Sequence, residues 1–249
     1  FAARAYPAII EGQRVVKGQV IGVDKDGSKR SKADRISTHM SYQLLNEMPE
    51  WEEDVDTLMH QLPIVGCGFK KTFYDQTLKR NRSDMVPATD LCVNQKTRSL
   101  DTVPRITHWF TKYPHEIEEM KASGEYLDID LGVAPSTDGD EDAPHEFIEQ
   151  HRYLDLDDDG RREPWVVTVH LETERVVKIV ANYDPAELKV ENGKLARIAR
   201  YDMFTKIPFF RDPQGGFYDV GFGELLEGIT DAIEGSINQM FDAGHLQNA

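Results

Sequence analysis

The stretch Phe147-Ile-Glu-Gln-His-Arg-Tyr-Leu-Asp-Leu-Asp-Asp-Asp-Gly-Arg-Arg-Glu-Pro-Trp-Val-Val-Thr-Val-His170 decides how the chain is read. Its two flanks are strand-like runs, and the Asp-rich centre with one glycine is a turn. Residues 175–182 add a third run after another tight turn, which predicts a β-meander over residues 147–182. Downstream, residues 188–190 and 195–200 flank Asn192-Gly193, a hairpin signal that residues 201–204 extend. Asp212-Pro-Gln-Gly-Gly216 is a further turn. A closing helix over residues 223–244 carries Leu225, Leu226, Ile229, Ile233, Ile237, Met240 and Phe241 on one face.

Upstream, residues 130–145 are acidic and rich in Pro, Gly, Ser and Asp, and read as a flexible loop. Pro114 opens a short helix bearing Ile117 and Met120, with Gly124 at its end. Residues 64–74, 85–93 and 105–111 are strand candidates, and residues 14–23 are another. A helix capped by Ser31 or Asp34 carries Ile36, Met40, Leu44 and Met48 and stops at Pro49. A second runs from Trp51 through Val55, Leu58, Met59 and Leu62 and stops at Pro63. The predicted class is α+β: N-terminal helices packed with antiparallel strands, a central β-meander and a C-terminal helix.

The 249 residues include 29 Lys and Arg against 44 Asp and Glu, a net charge of −15. Taken whole, that charge argues against an electrostatic grip on DNA phosphates. Its distribution is uneven: +3 over residues 1–49, −5 over 50–68, +4 over 69–98, −4 over 99–137, −8 over 138–163 and −5 over 164–249. Two cysteines make no disulfide framework, and no apolar run approaches the roughly 18 residues of a membrane span. Phe1 is not a start methionine and the last helix has no stop signal, so the chain reads as a fragment of a longer one.

Asp155, Asp157 and Asp159 sit at alternate positions before Gly160, like the opening of a calcium loop, and a calcium-dependent binding module is the alternative function. Counting from Asp155, position twelve is Val166 where a bidentate Glu is needed, and Glu163 falls at position nine. A hairpin turn with Asp159-Gly160 in positive φ is the simpler reading. His145-Glu-Phe-Ile-Glu149 lacks the second His of a zinc helix, and the eight histidines are otherwise scattered. The many acids select no catalytic pair for hydrolysis of glycosides. Two basic segments remain: Lys29, Arg30, Lys32 and Arg35, and Lys70, Lys71, Lys79, Arg80 and Arg82. They read as contacts to phosphate or to an acidic neighbouring subunit, or as solvated faces. No catalytic constellation assembles, and no cofactor is implied.

The order of segments resembles the portal proteins of tailed bacteriophages. The similar stretches are Arg35-Ile-Ser-Thr-His-Met-Ser-Tyr-Gln-Leu-Leu45, Glu47-Met-Pro-Glu-Trp-Glu-Glu-Asp54 and Leu62-Pro-Ile-Val-Gly-Cys-Gly-Phe-Lys-Lys71. Glu149-Gln-His-Arg-Tyr-Leu-Asp-Leu-Asp-Asp-Asp-Gly160, Glu163-Pro-Trp-Val-Val-Thr-Val-His170, Gly215-Gly-Phe-Tyr-Asp-Val-Gly-Phe-Gly223 and Ile237-Asn-Gln-Met-Phe-Asp-Ala-Gly244 follow in colinear order.

The resemblance implies a structural subunit, not an enzyme, in a homo-oligomeric ring, usually a dodecamer, at one capsid vertex of the virion. The ring assembles in the host cytoplasm with capsid or scaffold protein. Double-stranded DNA passes through it without sequence-specific contacts during packaging and ejection. The terminase large subunit and a head–tail adaptor dock on it, and no membrane is involved. By this resemblance residues 1–112 form a wing-like region and 113–144 a short stem-like helix with an acidic loop. Residues 145–205 form a β-rich region including the clip, and 206–249 a turn and a stem or wing helix. The basic segments would then face an acidic surface of the next subunit.

Overall fold

The computed structural model describes residues 1–10, 12, 14–135, 139–140, 142–191 and 194–247. The fold is α+β, with five α-helices, antiparallel sheets of three and five strands and a separate β-hairpin. It divides into two interleaved units, one of residues Phe1–Lys70, Arg82–Met85 and Lys206–Ala249, the other of Lys71–Asn81 and Val86–Thr205. In the second unit, β3 (Leu91–Val93) and β4 (Arg105–Lys112) share a sheet with β5 (His145–Leu154) and its successors.

The first unit is built on α3 (Glu50–Val65). Glu50, Glu52 and Glu53 lie in its first turn, where the positive end of the helix favours acids. Its face of Trp51, Val55, Leu58, Met59 and Leu62 is buried with Met48. Ala2 and Ala5 of α1 (Ala2–Ile9) pack on that cluster, as do Leu44, Leu45, Ile207 and Phe209. Pro63 does not end α3. The helix runs two residues further, to the left-handed cap Gly66, whose N–H donates to Leu62 O at 2.9 Å.

Helix α2 (Ser28–Tyr42) begins three residues before the expected start, and its caps lie upstream of Ser31 and Asp34. Asp24 accepts from the backbone N–H of Lys29 and Arg30 (3.4 and 3.0 Å), and Asp26 from that of Ser28 (3.4 Å). Its buried face is Ser37 and Ser41, while Ile36 and Met40 are exposed. The reason lies in residues 14–23, which form no strand. Their backbone donates to side chains instead: Val16 N–H to Ser41 Oγ (3.1 Å) and Gly18 N–H to Ser37 Oγ (2.5 Å). A π-helical turn, Gln43–Glu47, joins α2 to α3.

The second unit holds the five-stranded sheet, in order β3-β4-β5-β6-β7, with β6 at Glu163–His170 and β7 at Arg175–Ala181. All neighbours are antiparallel. β5 and β6 pair from Phe147↔His170 to Leu154↔Glu163, as the opening stretch predicts. Ile117 of α4 (Pro114–Ala122) packs with Tyr126, Leu131, Phe147 and Val177 to form the core. β8 (Lys189–Glu191) and β9 (Lys194–Arg197) form the expected hairpin, whose Asn192-Gly193 turn lies outside the described residues.

The remaining sheet has the order β10-β1-β2, with β1 at Cys67–Asp75, β2 at Arg80–Val86 and β10 at Phe204–Pro208. Residues 201–204 therefore lead into a strand beside β1 and do not extend the β8–β9 hairpin. Pro87, which has no N–H for a ladder, separates β2 from a 3-10 turn before β3, so residues 85–93 are not one strand.

Helix α5 (Phe222–Gln247) leaves the first unit's core at a glycine crossing. Gly66 has φ +99°, and a Cβ there would meet the backbone of Asp219, Val220 and Gly221. A Cβ on Gly221 would meet Ile64 O and Gly66 N. Gly66→Ala is expected to destabilise the protein by on the order of 3 kcal/mol, because strain and collision add. Gly221→Ala is expected to cost less, since only the collision applies. Gly228→Ala, where a Cβ meets nothing within 4 Å, is expected to be neutral or stabilising by up to about 1 kcal/mol. Urea unfolding of the three variants measures this order.

Candidate functional site

The two basic segments differ in how their charges are placed. Lys29, Arg30, Lys32 and Arg35 are exposed on α2. Lys70, by contrast, is buried, with Nζ 2.9 Å from Asp54 Oδ2 and donating to Ser83 O at 2.7 Å. The Met85 N–H donates to the same Asp54 oxygen. Lys71 Nζ lies 2.7 Å from Glu149 Oε1, with both side chains nearly buried. Arg82 pairs with Asp84 at 3.0 Å and with Glu50 at 3.4 Å. Lys79 is exposed in the left-handed region at the β1–β2 turn, and Arg80 is half-buried at the start of β2. Lys70 and Lys71 are therefore paired with carboxylates inside the chain rather than left as free surface charges. Charge reversal at either position tests folding, not assembly.

Lys71 stands at the centre of a buried polar cluster in the second unit. Its Nζ is 5.3 Å from the centroid of Phe73 and 5.8 Å from those of Phe110 and Phe204. Glu149 Oε1 is also 2.7 Å from His151 Nε2. Burial alone raises the Glu149 carboxyl, but the Lys71 charge and the His151 hydrogen bond outweigh it and hold it well below the usual carboxylate range. Nearby, His108 is pulled down to about 4 by burial and then by the Lys71 charge, and its Nδ1 is buried without a hydrogen-bond partner. This arrangement orders the sheet interior.

Asp155, Asp157 and Asp159 do converge, with one carboxylate oxygen of each within 4.8 Å of the others. The local hydrogen bonds are those of a turn. Asp155 Oδ2 accepts from Gly160 N–H at 2.9 Å and Asp159 Oδ1 from Arg161 N–H at 2.7 Å. The positive φ angles are at Asp158 (58°) and Gly160 (85°) rather than at Asp159. Both flanks are strands, Glu163 is paired with Leu154 in the ladder, and Val166 is buried in β6. No acid stands where the bidentate calcium ligand is needed.

Among the described residues a second group of metal-ligand type appears that the scattered histidines do not suggest: His145, His170 and Glu172. The signal that finds it is the hairpin register. Phe147 faces His170, and Leu171 N–H donates to Glu146 O, so the ladder continued brings His145 beside Glu172. Burial, the largest effect, and His145 lower the His170 imidazole, while Glu172 opposes them.

Helix α5 is exposed from Phe222 to Ala243. Leu225, Leu226, Ile229, Ile233, Ile237, Met240 and Phe241 lie on one side and are each between 45% and 74% exposed. Glu224, Glu227, Asp231, Glu234 and Asp242 fall on the other side, and the helix has no Lys or Arg. Among the described residues no helix is long and apolar enough to cross a membrane. No family model matches the chain, and no curated protein matches it.

Two measurements check these local readings. An unfolded histidine takes its proton near pH 6.5 and the folded His108 only near 4, so the unfolded state binds more protons between those values. Stability is expected to fall by on the order of 3 kcal/mol as pH drops through that window. Glu149 adds a separate loss, because a carboxylate held low stabilises the fold above about pH 4.5 and ceases to as it protonates. His108→Phe is expected to flatten the upper window, apart from the contribution of His170, and to leave the loss below about pH 4.5. For the aspartate turn, the melting temperature is expected to be unchanged by millimolar calcium. A saturable rise abolished by Asp157→Asn identifies a calcium module instead.

Proposed function

We propose that this chain is the subunit of a tailed-bacteriophage portal: a structural ring protein through which double-stranded DNA is packaged and later ejected. The observation that carries this reading is α5. It is a 26-residue helix, about 39 Å long at 1.5 Å per residue, with an apolar side left in water. Covering the exposed half or so of each such side chain gains on the order of 1 kcal/mol. Seven in one row suit permanent burial against another subunit better than solitary exposure. The opposite side carries five acids and no base, which suits a conduit. Every phosphate neutralised by a protein cation adds affinity, and affinity slows passage.

The colinear resemblance of the sequence to portal proteins supports the same reading, and the α+β fold with a terminal long helix is compatible with it. In this reading α5 is the stem or wing helix beside the channel, and its apolar side meets the next subunit around the ring. The exposed basic side of α2, from Lys29 to Arg35, is a candidate for the acidic surface of a neighbour. Terminase and a head–tail adaptor are the proposed docking partners, and ATP hydrolysis belongs to the terminase.

The experiment is native mass spectrometry of the full-length protein and of its Ile229→Glu/Ile233→Glu variant. Both positions are more than half exposed, so the substitutions leave the fold of the subunit intact, which circular dichroism checks. A closed oligomer in the wild type that falls to monomer in the variant is the expected result. A wild type that is monomeric at every concentration, or an oligomer indifferent to the double substitution, contradicts the proposal.

A further inference from the structure

We infer that His145, His170 and Glu172 form a binding site for a divalent transition metal, with Zn2+ as the ion the donor set fits best. The three donors converge at the end of the β5–β6 ladder. His145 Nδ1 is 2.9 Å from His170 Nε2, and Glu172 Oε2 is 2.7 Å from the same His170 nitrogen. All three donor atoms lie within 4.8 Å of one another. In a tetrahedral zinc site with bonds of 2.0–2.1 Å, ligand atoms sit about 3.3 Å apart. The two short edges of the triangle need to open by about half an ångström to reach that spacing.

The convergence of three donors at one point makes the case, and their protonation states are compatible with it. His170 Nε2 faces two groups at hydrogen-bond distance. If it carries a proton, that proton has two acceptors, and neither has a second donor in the trio. If it does not, its lone pair opposes the Glu172 carboxylate. A cation at the centre removes the conflict, because all three groups then present lone pairs to it. The surroundings favour this arrangement. His170 Nδ1 lies 2.8 Å from Thr173 Oγ1, so an Nδ1–H donated to Thr173 leaves Nε2 free for the metal. Glu172 Oε1 accepts from Glu146 N–H at 3.4 Å, which holds its other oxygen toward the histidines.

Both imidazoles are buried, at 4% and 0% exposure, with His170 against the rings of Phe147 and His145, while Glu172 stands at the solvent-facing mouth. The metal therefore has an entry path, and water fills its fourth position. Two imidazoles and one carboxylate are a borderline-soft set that suits Zn2+ over calcium or magnesium. The bound ion would tie the start of β5 to the turn after β6.

The test is isothermal titration of the chelator-stripped full chain with ZnCl2, followed by thermal melting. One saturable site per chain and a raised melting temperature are expected. Glu172→Gln, at the exposed mouth, is expected to weaken binding at least tenfold with the metal-free melting temperature unchanged. Thr173→Val, which removes only the support of His170, is expected to weaken it by roughly 10–100-fold. Asp157→Asn in the aspartate turn is expected to leave zinc binding as it was. No saturable binding, binding indifferent to Glu172→Gln and Thr173→Val, or binding lost in Asp157→Asn overturns the assignment.

Discussion

The register of the β5–β6 ladder is the constraint on which the second unit depends. Because side chains alternate across a strand, a slip of one residue would turn every buried group of the pair to the opposite face. Phe147, His151, Val166, Thr168 and His170 would leave the interior, and Glu149 would lose Lys71. With the register held, one turn and one open end are defined together. The turn gathers Asp155, Asp157 and Asp159, and the open end gathers His145, His170 and Glu172. Two groups of potential ligands, one harder and one softer, thus follow from the pairing of Phe147 with His170.

Charge acts differently on the two sides of the molecule's polar inventory. The net charge of −15 reads at first as a bar to any role around DNA. Part of the basic content, however, is internal: Lys70, Lys71 and Arg82 are matched to Asp54, Glu149, and Asp84 with Glu50. Such pairs specify the fold and are costly to break from one side. The acids of α5 remain outside, opposite an apolar stripe. Under the proposed portal role, such a helix would meet a subunit on its apolar side and DNA in transit on its acidic side. On that proposal, net acidity would suit a surface that lets DNA pass without holding it.

The parts of the fold governed by local signals were legible in the sequence. The meander over residues 147–182, the α3 face from Trp51 to Leu62 and the α4 start at Pro114 follow from periodicity and turn residues. Features set by distant partners were not. Residues 14–23 look like a strand, but their donors reach Ser37 and Ser41 on a helix. Helix α3 passes Pro63 because the glycine crossing at Gly66 and Gly221 fixes its end. Lys70 and Lys71 read as surface charge because nothing local reveals Asp54 or Glu149. Of the candidate sites, the aspartate turn is visible as a motif, whereas His145 and His170, 25 residues apart, meet only after the ladder is in register.

The central claim is that this protein works as a closed ring around DNA. Electron micrographs of the full-length protein test it most directly. Rings of uniform subunit number with a central hole wide enough for a DNA duplex are the expected result. Single particles of subunit size at all concentrations, or open filaments with no axial channel, would contradict it.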